Sequence, residues 1–286
     1  MKRILCLLSI AVTIALAASS YAESKAMKET LARLSAVRGP FMFTAMGDNR
    51  SGDRVYKKIM DRLEARKPLF VINTGDIIPN PGNRDEWSHF WELSKPITAP
   101  YFLTAGNHDI DDAKSEKIWQ EEVDLPGNEL YYSFAVGKNL FVVLDSVEPK
   151  DDRKIAGKQF EWLRGVLDPG RYEHQFVFLH HPLFVPEHLT HSGESLDRYP
   201  EDRDRLHDLF VAKKVTAVFA GHVHTFNHIE KDGVAYIITG GAGAPLYGRE
   251  SFNNLMFVDV DGPRIEAKVI DRDGVMRDEF LIGNRR

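Results

Sequence analysis

Hydrophobic residues in this chain come in short bursts, and most bursts end at a glycine or histidine followed by polar residues. Phe41 to Met46 runs into Gly47-Asp48-Asn49-Arg50, Leu69 to Thr74 into Gly75-Asp76, and Tyr101 to Ala105 into Gly106-Asn107-His108-Asp109. Phe176 to Leu179 runs into His180-His181-Pro182, and Val215 to Ala220 into Gly221-His222-Val223-His224. Short apolar runs bounded by turn formers read as buried strands. Between them, apolar residues recur at helical spacing: Val55, Ile59 and Leu63, then Phe160, Leu163 and Leu167, then Leu206, Leu209 and Phe210. Pro68, Pro96 and Pro100 break the chain between units. Tyr131 to Val136 and Leu140 to Leu144, joined by Gly137-Lys138-Asn139, predict a hairpin. Val234 to Thr239, Leu255 to Val260 and Ile265 to Ile270 predict further strands. Strands alternating with helices imply an α/β fold, here two packed mixed β-sheets flanked by helices, an αββα sandwich.

The first 22 residues differ. Lys2 and Arg3 precede an apolar run from Ile4 to Ala18, and Ser20 and Ala22 form a small-x-small site. That is the form of a secretory signal peptide cleaved after Ala22, and the run is too short for a membrane span of ~20 residues. The expectation is export to a periplasm or beyond the cell, with no membrane anchor remaining. Residues 23–38, polar and helix-prone, are expected as a leader to a domain covering 39–286, with no linker dividing it. Cys6 is the only cysteine, so the mature chain has neither disulfides nor thiolate ligands. Any metal must rest on His, Asp, Asn or Glu. Of 37 basic and 42 acidic residues, Lys2 and Arg3 fall in the signal, leaving a mature net charge of −7. No basic stripe suited to nucleic acid is present.

The polar tips carry the candidate chemistry. Each follows the presumed C-terminal end of a strand, the edge where ligands bind in open α/β sheets. Together they offer Asp48, Asp76, Asn107, His180, His222 and His224. These oxygen and imidazole donors suit Zn, Mn, Fe or Ni, and six of them suit two ions sharing a carboxylate. Each motif by itself also has a plain structural reading: Gly-Asp as a turn, Asn107 with Asp109 as a helix cap, His180-His181 as a packed loop.

As an ordered set, these motifs resemble those of the calcineurin-like metallophosphoesterase superfamily. That signature runs D-x-H, G-D, G-N-H-D/E, a strand ending in His, and G-H-x-H. The Val177-Phe178-Leu179-His180 and Gly221-His222-Val223-His224 forms most resemble its purple-acid-phosphatase-like branch. The resemblance implies that Asp76 bridges two transition-metal ions (Fe, Zn or Mn), divalent or trivalent. Asp48 and His224 would complete one site, and Asn107, His180 and His222 the other. His180 is preferred to the neighbouring His181 because it fills the Val-x-x-His slot. His108 would contact substrate and protonate the leaving oxygen, while a metal-bridging hydroxide attacks phosphorus. The pattern departs at Arg50, where the family carries His, and at Pro79, where purple acid phosphatases carry a compensating Tyr. Arg50 reads either as a solvent-facing loop residue or as a substrate-binding phosphate clamp.

The resemblance thus implies a phosphatase acting on a small phosphate ester. The alternatives are a phosphodiesterase or nucleotide hydrolase, and a binding protein that kept the fold with impaired catalysis. Gly240-Gly241-Ala242-Gly243-Ala244-Pro245 lacks the Gly-Lys-Ser/Thr of a P-loop and is expected to let backbone pass close to the metal site. Glu187, His188, His191 and Glu194 are expected mostly as solvated loop residues.

Overall fold

The structure, a computed structural model, describes residues 24–149, 152–189 and 191–283. The expected signal segment 1–22 lies outside them. The strands are β1 (Phe41–Met46), β2 (Phe70–Asn73), β3 (Tyr101–Leu103), β4 (Tyr132–Val136), β5 (Asn139–Val143) and β6 (His174–Phe178). They continue with β7 (Ala217–Ala220), β8 (Phe226–Lys231), β9 (Val234–Thr239), β10 (Asn254–Asp261), β11 (Arg264–Asp271) and β12 (Met276–Leu281). One six-stranded sheet has the order β12-β11-β10-β1-β2-β3, and a second the order β4-β5-β6-β7-β9-β8. In the first, β1, β2 and β3 are parallel while β10 pairs antiparallel with β1. In the second, β5, β6, β7 and β9 are parallel, with antiparallel β4 and β8 at the edges. Both sheets are mixed, and they form the expected two-sheet α/β sandwich.

Strand alternation sends aromatic side chains from both sheets into one central layer. Phe43 of β1 meets Phe141 of β5 and Phe176 of β6 with ring centroids 5.2 and 5.5 Å apart. Phe70 of β2 meets Phe141 at 4.9 Å, and Phe102 of β3 stacks on Phe134 of β4 at 4.1 Å. Alternate residues of the second sheet, such as Val142, Val177 and Val218, face outward. They pack with Leu163 of α5 (Gly157–Val166) and with Leu206 and Phe210 of α6 (Pro200–Ala212). The first sheet packs with Ile59 and Leu63 of α2 (Asp53–Arg66) and with Trp87 and Phe90 of α3 (Arg84–Ser94). Tyr56 Oη lies 2.8 Å from Ser94 Oγ and ties α2 to α3.

Some elements exceed the sequence expectation. The 23–38 segment contains α1 (Lys25–Ser35), whose Leu34 is buried in the core and whose Leu34 carbonyl accepts the Gly137 amide at 3.2 Å. A helix α4 (Ala113–Glu122) starts from a capping box between Asp112 and Ser115. Strands β8 and β12, with sequences FNHIEK and MRDEFL, carry too many exposed polar residues to read as buried runs. They are sheet edges, where charge discourages pairing with other chains.

Candidate metal centre

The loops following β1, β2, β3, β6 and β7 leave the C-terminal ends of the two parallel strand groups side by side. Tight reversals there place Asp48, Asp76 and His222 at φ 58°, 57° and 66°. Non-glycine residues in that left-handed region cost about 1–3 kcal/mol each and are kept where position outweighs comfort. Glycine makes the approach possible: a Cβ on Gly221 would lie 2.5 Å from Asp48 Oδ2, and one on Gly240 2.8 Å from it. The glycine-rich run lies alongside the first loop, with Ala244 N donating to Asp48 O at 2.7 Å. The Asp109 carboxylate accepts the amides of Asp76, Ile77 and Gly106 at 2.9, 2.9 and 2.8 Å, locking the second and third loops together.

All six expected donors are brought together. Asp48, Asp76 and His224 form one buried group with mutually close ligand atoms. In the other, His180 Nε2 lies 3.1 Å from Asn107 Oδ1 and 3.2 Å from Asp76 Oδ1, and His222 Nδ1 lies 3.1 Å from Asn107 Oδ1. Asp76 therefore stands between the groups.

Proton bookkeeping shows what these contacts are. His180 Nδ1 is 2.9 Å from the Thr74 carbonyl, so it carries the ring proton and leaves Nε2 as a bare lone pair. That lone pair faces two oxygens that are themselves acceptors. His224 repeats the arrangement: Nδ1 donates to Pro245 O at 2.6 Å, and the bare Nε2 faces Asp48 Oδ1 at 3.5 Å. Burial holds the rings neutral. It lowers the His180 pKa, drives that of His222 well below the ordinary value, and brings His224 to about 4. Burial and the Asp76 charge push Asp48 upward. Asp76 is also buried, but cationic neighbours hold its carboxyl at about 2: His180 and His108 when protonated, and Arg50 at every pH. Neutral imidazole nitrogens and carboxylate oxygens converging lone pair to lone pair are a donor set awaiting cations, and they fit divalent transition ions.

Other residues take places that sequence alone left open. His181 turns Nδ1 toward the Ser146 carbonyl and hydroxyl, both at 3.1 Å, while its buried Nε2 has no hydrogen bond among the described residues. Its ring lies 4.5 Å from that of His222, and its ligand nitrogen falls with those of His180 and His222 in one buried group within 4.8 Å, while His180 also meets Asn107 and Asp76. His108 donates its amide to Asp76 Oδ1 at 3.0 Å, and its Nδ1 lies 2.7 Å from the Pro79 carbonyl. Pro79 thus contributes a backbone oxygen that fixes the His108 tautomer. Arg50 is not solvent-facing: its Nε donates to Asp76 Oδ2 at 3.0 Å. His191 also departs from expectation. Its ring lies 4.8 Å from His222 and 5.2 Å from Tyr247, while Glu187, His188 and Glu194 are exposed. A larger cleft of about 490 Å³, lined by Arg38, Lys138 and Asp261, lies by the β4–β5 turn and contains none of the six donors.

Residues 41–226 match the family described as calcineurin-like phosphoesterase, and the chain belongs to that family. Within it, the likeness runs to the purple acid phosphatases. Purple acid phosphatase 5 of Arabidopsis thaliana is 25% identical over 239 residues, covering 80% of this chain and 54% of that protein. A probable glycerophosphodiester phosphodiesterase of Arcobacter nitrofigilis is 28% identical over 162 residues, covering 55% of this chain and 57% of its own. The chain spans about half the length of these curated relatives. The solved purple acid phosphatase PPD1 from yellow lupin superposes with a TM-score of 0.72 at 16% identity, over 86% of this chain and 54% of that one.

Proposed function

We propose that this chain is an exported binuclear metal hydrolase that cleaves small phosphate monoesters. The observation carrying the reading is the pair of buried groups, Asp48, Asp76 and His224 beside His180, His181 and His222, joined where the bare His180 Nε2 faces Asn107 and Asp76 oxygens. When bound, the two ions would neutralise phosphate charge and acidify a water molecule. Asp76 holds the two groups in register. With Nδ1–H committed to Pro79, His108 presents Nε2 to the leaving oxygen, and the protonated ring would hand over the Nε2 proton and return to the neutral Nδ1–H form. With only the Asn107–His180–His222 ion bound, Arg50 keeps its terminal nitrogens for phosphate oxygens, since among the described residues its guanidinium is engaged through Nε alone. Export rests on the basic, apolar, small-x-small order of residues 1–22. Among the described residues no helix is long and apolar enough to cross a membrane.

The relative named as a phosphodiesterase favours diesters as the second reading. Hydrolysis of p-nitrophenyl phosphate and of bis(p-nitrophenyl) phosphate, each with Zn²⁺, Mn²⁺ or Fe added, tests both. Faster turnover of the monoester supports the first reading and of the diester the second. No metal-stimulated hydrolysis of either would leave only a binding protein with this fold. Asp76→Asn should abolish activity and lower metal content together.

A further inference from the structure

Arg50 holds the position at which this chain leaves its family, and its geometry is specific. Its amide donates to Asp76 O at 3.2 Å and its guanidinium Nε to Asp76 Oδ2 at 3.0 Å. The two side chains are 16% and 2% exposed, so the ion pair is largely shielded from water. The other carboxylate oxygen, Oδ1, faces His180 and the His108 amide. One oxygen of Asp76 is therefore turned to the Asn107–His180–His222 group, and the other is already paired with a fixed positive charge. A guanidinium cannot give up its charge at any working pH, so it cannot become a ligand.

We infer that Arg50 is the resident cation of the first metal position, so that the chain holds a single ion tightly and takes a second only by displacing the guanidinium from Asp76. The inference rests on the phosphoesterase reading above. Two effects oppose the second ion: its bridging oxygen is occupied, and it must approach a fixed like charge in a poorly solvated place. A small cavity of about 80 Å³ lies beside Arg50, lined by Asp53, Glu86 and His89, and its carboxylates are already engaged, Asp53 by His89 at 2.8 Å and Glu86 by Asn80 and Asn83, so a displaced guanidinium turning there would have to share them. This is a different cause from the loss of an imidazole ligand, and the two causes make different predictions.

The deciding variants are Arg50→Ala and Arg50→Met, which remove the charge without adding a donor, Met keeping much of the bulk. Metal content after gel filtration, and Mn²⁺ and Zn²⁺ titration by calorimetry, are measured on wild type, both variants and Arg50→His, with circular dichroism to verify folding. If the guanidinium competes, wild type retains a single ion, and both neutral variants bind the second at least about tenfold more tightly with the first unchanged. If only a ligand is missing, Arg50→His alone gains the second ion and the inference is overturned. Two ions retained by wild type overturn it as well while leaving the phosphoesterase reading intact. Wild type that binds no ion and hydrolyses no phosphate ester overturns both.

Discussion

At the scale of single residues, the proposed function assigns holding metal and moving protons to different side chains. His108 touches Asp76 only through its backbone amide, and its ring is anchored to Pro79. His108→Ala should retain the metal content of wild type while losing about 10²–10⁴-fold in kcat. Elemental analysis beside steady-state kinetics checks this, and metal loss in the variant would make His108 a support of the centre instead. The convergence of these six residues was legible because each follows a run of buried residues at a strand end, where side-chain placement is dictated by backbone topology. Arg50 and His191 were not legible. Their roles depend on which way a flexible side chain or a loop tip turns, and sequence spacing carries no information on that. The Pro79 contribution was hidden for another reason: it is made by a carbonyl, which every residue has.

At the scale of elements, the strands of the parallel cores were readable within a few residues because burial on both faces makes them continuously apolar. The edge strands β8 and β12 were not, since solvent on their outer sides removes that signal. The loops between them are set by close backbone packing, and this can be tested. Gly221→Ala would bring a methyl group to 2.5 Å from Asp48 Oδ2 and 2.9 Å from Thr74 Oγ1. Such crowding costs about 1–3 kcal/mol. The expected result is a lowered melting temperature, with weakened metal binding and activity because Asp48 itself must shift. A variant with unaltered metal titration would mean the loop yields without moving the carboxylate.

At the scale of the whole molecule, the buried histidines couple folding to pH. Burial lowers the pKa values of His180, His181, His222 and His224 in the folded, metal-free protein, that of His224 to about 4. Unfolded, each returns to ~6.5. Below that value the unfolded chain binds more protons than the folded one, so the stability present at neutral pH is lost as pH falls from ~6.5 through about 4. Burial also pushes Asp109 up to about 8 and Asp145 up to about 7, which favours the folded chain as pH falls, so the histidine part is isolated by comparing metal-free wild type with His224→Asn across that window: wild type should lose more Tm toward pH 4. Adding Zn²⁺ should raise Tm at neutral pH, with the gain shrinking as protons compete for the same nitrogens.

The pairing of β10 with β1 has a consequence for how the chain can be divided. The family match ends at residue 226, and a fragment stopping there would still carry Asp48, Asp76, Asn107, His180, His222 and His224. It would lack β8 beyond Phe226, β9 and the three strands that return from the far end of the chain to flank β1, where Phe43 faces Val258 and Ala45 faces Met256. It would also lack Pro245, whose carbonyl orients His224. Donor inventory and donor geometry thus have different boundaries along the polypeptide. The fragment should bind Zn²⁺ no better than an unfolded peptide of the same length, and a separately expressed 227–283 piece that restored tight binding would make metal uptake a signal of the two pieces joining.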